Sequence, residues 1–158
     1  MKNNFLDKII WDESDFDQMN WHDNRIYAIS FGIEEYELIL DIDYILKWIE
    51  PEENESMFKF IVAPATLIFK NVYDLEISSS TVNLIIDTVH RENPIKPINA
   101  AYIKEQLEYD WTIETTQGRI IFKSVGFIQY LRRKPLQGSQ EIGLLERGGI
   151  SFGRTLLD

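Results

Sequence analysis

The chain has 158 residues, 44 % hydrophobic and 27 % charged, a globular balance with enough length for one domain and its own core. It contains no cysteine, which excludes disulfides and thiolate chemistry. Its formal net charge of -10 disfavours nucleic acid and anionic membrane as partners.

The opening residues, MKNNFLDKIIWDESDF, turn acidic quickly and hold no long apolar run. No signal segment or membrane span is expected, and a cytoplasmic location is the default expectation. DESDFDQM (12–19) reads as a short helix or capped turn. Phe16 and Met19 lie three apart and would plug a core edge, while Ser14 would cap it. Gln18 stands one place too far from Ser14 for a capping box.

NWHDNRIYAI (20–29) then places Trp21, His22 and Asp23 side by side just before a strand. A histidine beside a carboxylate can act as acid or base. Adjacent side chains on an extended chain point apart, however, so a structural corner is the favoured reading. In it Trp21 anchors the turn in the core, His22 bonds to backbone, and Asp23 with Asn24 forms an Asx-type turn.

NRIYAISFG (24–32) reads as a strand, and YELILDIDYILKWI (36–49) as a longer one with a bend or bulge near Asp43 or Tyr44. Tyr36, Leu38, Leu40 and Ile42 share an apolar face, and Glu37, Ile39, Asp41 and Asp43 a mostly polar one. The pattern predicts a half-buried antiparallel strand with Asp41 and Asp43 facing solvent or a partner. Two carboxylates at i,i+2 can also form an acid/base pair or a weak metal site, but the residues after them lack a calcium-loop frame.

EPEENES (50–56) is a loop by composition, and MFKFIVAPATLIFKNV (57–72) resumes the strand pattern with Phe58, Phe60 and Val62 on one face. Pro64 interrupts it and predicts a bulge, edge or corner. YDLEISS (73–79) and TVNLIIDTVH (81–90) read as strands, and RENPIKPIN (91–99) as a connection. AAYIKEQLEY (100–109) predicts a helix, with the segment from Tyr109 to Trp111 passing into strand. DWTIETTQGRIIFKSVGFIQYLRR (110–133) predicts a hairpin turning at Thr116-Gln117-Gly118, with Trp111, Ile113 and Thr115 on one face. The Gly-rich end, 135–158, reads as a mobile loop with a terminal strand.

The expected fold is mainly β, or α+β with minor helix: one domain over 1–158, five to eight antiparallel strands in a sandwich or partly open barrel. No cofactor or metal frame is visible. With no cysteine, a zinc site would need His22 and His90 to converge. Ser78-Ser79-Ser80 has no nucleophile elbow, and the glycines from Gly138 on form no phosphate-binding motif.

Charge is segregated along the chain. Residues 1–55 hold 15 Asp+Glu against 4 Lys+Arg, a local balance of -11, whereas residues 56–158 balance at +1. The segment 118–134 carries five positive charges and no negative one. Arg132, Arg133 and Lys134 at its end are expected in solvent or paired with the acidic first third.

The segments WHDNRIYAI (21–29), LILDIDYILKWI (38–49) and FIVAPATLIFKNVYDLEI (60–77) resemble a group of small uncharacterised bacterial proteins. That group has an early Trp-His-Asp, an LDIDYI-type strand and a VAPATL-type strand, with a weaker echo in YDWTIETTQGRIIF (109–122). The resemblance implies no activity and no catalytic residue. Small acidic bacterial proteins of this kind are similar in size and charge to immunity proteins that neutralise toxins.

The favoured expectation is a non-enzymatic protein-binding domain, an acidic inhibitor of a basic protein, with Trp21, His22, Asp23, Asp41 and Asp43 as structural or binding candidates. One alternative is a small hydrolase or carbohydrate-processing enzyme using the clustered carboxylates. Another is a self-associating structural domain, such as a dimer, pairing through exposed strand edges or the 136–157 tail.

Overall fold

The computed structural model describes residues 7–97 and 107–157. Ten strands are present among them: β1 (Ile10–Asp12), β2 (Arg25–Gly32), β3 (Glu37–Ile49), β4 (Lys59–Lys70), β5 (Tyr73–Ser79), β6 (Leu84–Ile95), β7 (Glu108–Thr115), β8 (Gly118–Ser124), β9 (Gly126–Leu131) and β10 (Leu136–Gly138). All their pairings are antiparallel, in the order β1-β9-β4-β3-β2-β6-β7-β8-β5, with β10 added to β4. The count exceeds the expected five to eight. β1 and β10 have only three residues each, too few to leave a period of two in the sequence.

The path is open, with β1 and β5 at its ends, and it folds at the β2–β6 junction. β2 and β6 pair there through Arg25↔Ile85 and Ile26↔Leu84. β1-β9-β4-β3-β2 forms one layer and β6-β7-β8-β5 the other, a sandwich around one apolar core. Leu38, Leu40 and Ile42 of β3 and Ala65, Leu67 and Phe69 of β4 face Ile86, Trp111, Ile113, Ile120 and Phe122 across it. Phe69 is central, with its ring 5.1 Å from Trp111 and 4.7 Å from Phe122. Each of the large aliphatic and phenylalanine side chains here contributes about 1.5–3 kcal/mol by leaving water.

The predicted hairpin is present over β7 and β8, which turn at Thr116-Gln117 with Trp111, Ile113 and Thr115 buried, but residues 126–131, expected within it, form β9 and pair with β4 and β1. A 3-10 helix spans Glu13–Gln18. Its cap is Asp12 rather than Ser14, and Asp15 completes a capping box with it. Asp15 also accepts from Lys8 at 2.5 Å, which lowers its pKa.

Two further details of the strands differ from the sequence expectation, and Pro64 takes the edge position that it allowed. The irregularity in β3 falls between Ile45 and Lys47, not at Asp43 or Tyr44. Pro64 lies inside β4, paired with Asp43. It is tolerated because its carbonyl accepts from Arg132 N at 2.9 Å, on the side where β9 has ended at Ala65↔Leu131 and β10 begins only at Val62. The missing N–H faces that gap, so Pro64 sits at a local edge. Finally, β6 runs on through Pro94 to Ile95, absorbing the proline at a register shift where Asn93 has φ 56°. Residues 100–106 of the expected helix lie outside the described residues, and its end, Glu108 and Tyr109, is strand.

Among the described residues no helix is long and apolar enough to cross a membrane.

Candidate functional site

Trp21, His22 and Asp23 sit at the fold between the two layers. Trp21 is 3 % exposed, donates Nε1–H to Gln129 at 2.8 Å, and meets Phe127 edge-on at 5.3 Å. Trp21 O accepts from Asn24 N at 3.1 Å, closing a turn, and Asp23 takes the left-handed φ of 64° that aspartate tolerates. Asp23 N donates to Ile86 O at 2.8 Å, and Ile86 N returns to Asn24 O at 2.9 Å. The turn is thereby tied to β6. The Asx interaction comes from Asn20, whose side chain accepts from His22 N, rather than from Asp23. Asn24 is buried and accepts from Ile45 N.

His22 is partly exposed. Its Nδ1 lies 2.8 Å from Asp87 O; a carbonyl only accepts, so Nδ1 carries the proton. Nε2 is 3.6 Å from Asp23, and the ring stacks on Trp48 at 6.1 Å with planes 13° apart. Asp23 is held in turn by Gln140 of the C-terminal segment at 3.0 Å.

Asp41 and Asp43 are elsewhere, and they correct the sequence expectation: both are 0 % exposed. The back face of β3 is covered by the C-terminal segment, which lays Arg147 between them. Arg147 donates to Asp41 through both terminal nitrogens, at 2.9 and 2.7 Å, and to Asp43 through Nε at 3.0 Å. Arg132 adds a bond to Asp41 at 2.8 Å. Backbone amides of Ser151 and Ile142 take the remaining Oδ2 positions. Every carboxylate oxygen has a partner, so neither group is open to a substrate or a solvent-derived metal.

Burial opposes both guanidinium charges. For Arg147 the hydrogen bonds and charges of the two aspartates together outweigh it and raise its pKa; for Arg132 burial prevails and lowers it. Both remain charged. The Tyr27 ring lies 3.9 Å under the Arg147 guanidinium, and its hydroxyl donates to Ile142 O at 2.6 Å. Burial, followed by the nearby Asp43 charge, pushes that hydroxyl up to about 12.

No hydrogen bond or ion pair joins His22 or Asp23 to Asp41 or Asp43 among the described residues. Nor is any group of three or more His, Asp or Glu placed there to hold a metal ion. A cavity of about 500 Å³ lies between the 3-10 helix, β6 and β9, lined by Glu13, Lys70, Arg91 and Tyr109. Its main cation, Arg91, is already paired with Glu13 and enclosed by the rings of Phe16 and Tyr109 at 4.1 and 4.3 Å.

Among the exposed acidic side chains, two groups stand at the two ends of β3. The β2–β3 turn presents Glu34 and Glu35 beside Ile33 and Tyr36, which are 85 % and 70 % exposed. The β3–β4 loop presents Glu50, Glu52, Glu53 and Glu55 beside Trp48, Met57 and Phe58. Glu55 pairs with Lys59 and Glu37 with Arg154; Glu34, Glu35, Glu50, Glu52 and Glu53 make no ion pair.

Trp48 and Arg147 were missed as site residues in the sequence. Trp48 is camouflaged as one more aromatic in a strand. Arg147 lies in a Gly-rich segment with no pattern of its own. Family models, curated proteins and solved structures give no match to this chain.

Proposed function

We propose that the chain is a non-enzymatic protein-binding domain, an immunity-like inhibitor that captures a basic partner. One observation carries this reading: the fold sorts its acids. Asp41 and Asp43 are consumed internally by Arg147 and Arg132, while five glutamates at the ends of β3 stay exposed and unpaired. Unpaired surface carboxylates attract a basic protein at long range and speed its capture.

The hydrolase alternative loses its carboxylates to the arginines. Self-association through the edge strand β5 is opposed by its own residues. It carries Asp74 and Glu76, and a register shift with Asp74 at φ 51° bends the edge away from flat pairing.

The test is affinity capture from cells that encode the chain, at low and then high salt, followed by kinetics with the purified partner. A basic protein retained at low salt is expected, with an association rate that falls as salt rises. Glu→Gln changes at 34, 35, 50, 52 and 53 together should slow association by about tenfold or more. Capture that is indifferent to salt, or no capture, would refute the reading.

A further inference from the structure

We infer that the basic partner docks on the β3–β4 end, with Trp48, Met57 and Phe58 as the contact centre and the 50–55 loop as an acidic rim. The inference rests on the binding reading above and gives it a place.

The centre is built from apolar side chains that the fold leaves uncovered. Met57 is 77 % exposed, Phe58 45 % and Trp48 37 %. They are not loose. Trp48 pairs across the strands with buried Phe60, ring to ring at 5.0 Å, and meets Phe58 edge-on at 6.0 Å. His22 stacks behind the Trp48 ring and is itself fixed by the Asp87 carbonyl. Below them Phe60 joins Ile45, Val62 and Ile142 in a small apolar cluster of its own. A tryptophan held in place before its partner arrives costs little side-chain entropy on binding, a property of residues that dominate interfaces.

The rim decides the occupant. Glu50, Glu52, Glu53 and Glu55 follow Trp48 within seven residues and stand against two cations, Lys47 and Lys59. Lys59 is taken by Glu55. An apolar centre ringed by carboxylates suits a protein surface where arginines or lysines flank an aliphatic side chain. A second copy of this chain would bring carboxylates against carboxylates, and the net charge of -10 adds to that repulsion. The opposite end of β3 fits less well: Glu37 there is already held by Arg154, and Ile33 and Tyr36 lack the ring contacts that fix Trp48.

The experiment uses the full chain and the purified captured partner. Trp48→Ala should weaken binding by about 30-fold or more, as expected for a central aromatic. Met57→Ala, too exposed to matter to the fold, should weaken it by about fivefold or more. The triple change Glu50→Gln, Glu52→Gln, Glu53→Gln should act mainly on the association rate and flatten its salt dependence. Glu34→Gln with Glu35→Gln should leave the affinity within about twofold. Unfolding midpoints confirm that each variant is folded.

If the Glu34/Glu35 pair abolishes binding while Trp48→Ala and Met57→Ala keep it, this surface is wrong and the general binding reading survives. If the wild-type chain captures no basic protein in a salt-sensitive way, both fall. Sedimentation showing a wild-type dimer that Trp48→Ala dissolves would assign the surface to a second copy and overturn the inference.

Discussion

Arg147 grips Asp41 end-on, with one terminal nitrogen 2.9 Å from Oδ2 and the other 2.7 Å from Oδ1, and neither side chain is exposed. This bidentate pair joins the C-terminal segment to the middle of β3 across 106 residues of chain. With Arg132 and Asp43 it forms a buried network in which two cations balance two anions.

Removing one member therefore strands a charge. Arg147→Ala should leave Asp41 and Asp43 under-compensated and destabilise the fold by about 3–5 kcal/mol, read from denaturant unfolding. Arg147→Lys should recover only part of that loss, because an ammonium cannot reproduce the planar fork. An Arg147→Ala chain within about 0.5 kcal/mol of wild type would show that the network contributes little to stability.

Trp21 makes the second prediction. Trp21→Ala should cost about 3–5 kcal/mol, since the ring is buried against Phe16 and Phe127. Trp21→Phe should keep much of the packing but leave Gln129 Oε1 buried without its donor, costing about 1–3 kcal/mol. His22→Ala should cost about 1 kcal/mol, the value of one partly exposed hydrogen bond. Equal stability of Trp21→Ala and wild type would contradict the role of this corner.

These residues also mark how far the sequence could be read. The alternation of Trp111, Ile113 and Thr115 is local, so it announced its strand and its buried face directly. Trp21 was legible as an anchor because a large apolar ring among turn residues has few other uses. Asp41 and Asp43 were misplaced in solvent because a period of two reports polarity along one strand, not what covers it. Their cover arrives 91 to 110 residues later in the chain. The apolar neighbours on both faces, Ile39 and Ile45 beside Leu40 and Ile42, were the signal that β3 is buried on both sides. Pro64 was legible as a bulge, edge or corner, but which of these it is depends on where β9 stops and β10 starts.

Gly118 opens β8 where the chain of β5 passes closest. A Cβ at Gly118 would lie 2.0 Å from Ser78 O and 2.6 Å from Ser79 Cα, both backbone atoms. Gly118→Ala should force those strands apart and cost about 1–3 kcal/mol. Gly138→Ala is the control, since nothing lies within 4 Å of its added methyl. Matching unfolding midpoints for the two variants would show that the close approach is not a constraint.

Alkaline pH should loosen the fold through its tyrosines. The Tyr27 hydroxyl is pushed up to about 12 by burial and then by Asp43. Tyr73 also rises to about 12, by burial and then by its hydrogen bond to Glu108 at 2.6 Å. In the unfolded chain both titrate near their ordinary value of about 10. A raised folded pKa means the fold prefers the protonated hydroxyl, so this stabilisation is complete below pH 10. It is lost as pH rises from about 10 through about 12, where ionised Tyr27 no longer donates to Ile142 O and the C-terminal segment loses a tether. Tyrosinate absorbance should show these two hydroxyls titrating above the ordinary tyrosine value of about 10, while unfolding midpoints fall over the same interval. Tyr27→Phe should remove one late step from the titration. Titration of all tyrosines together near pH 10, with no change in midpoint, would contradict it.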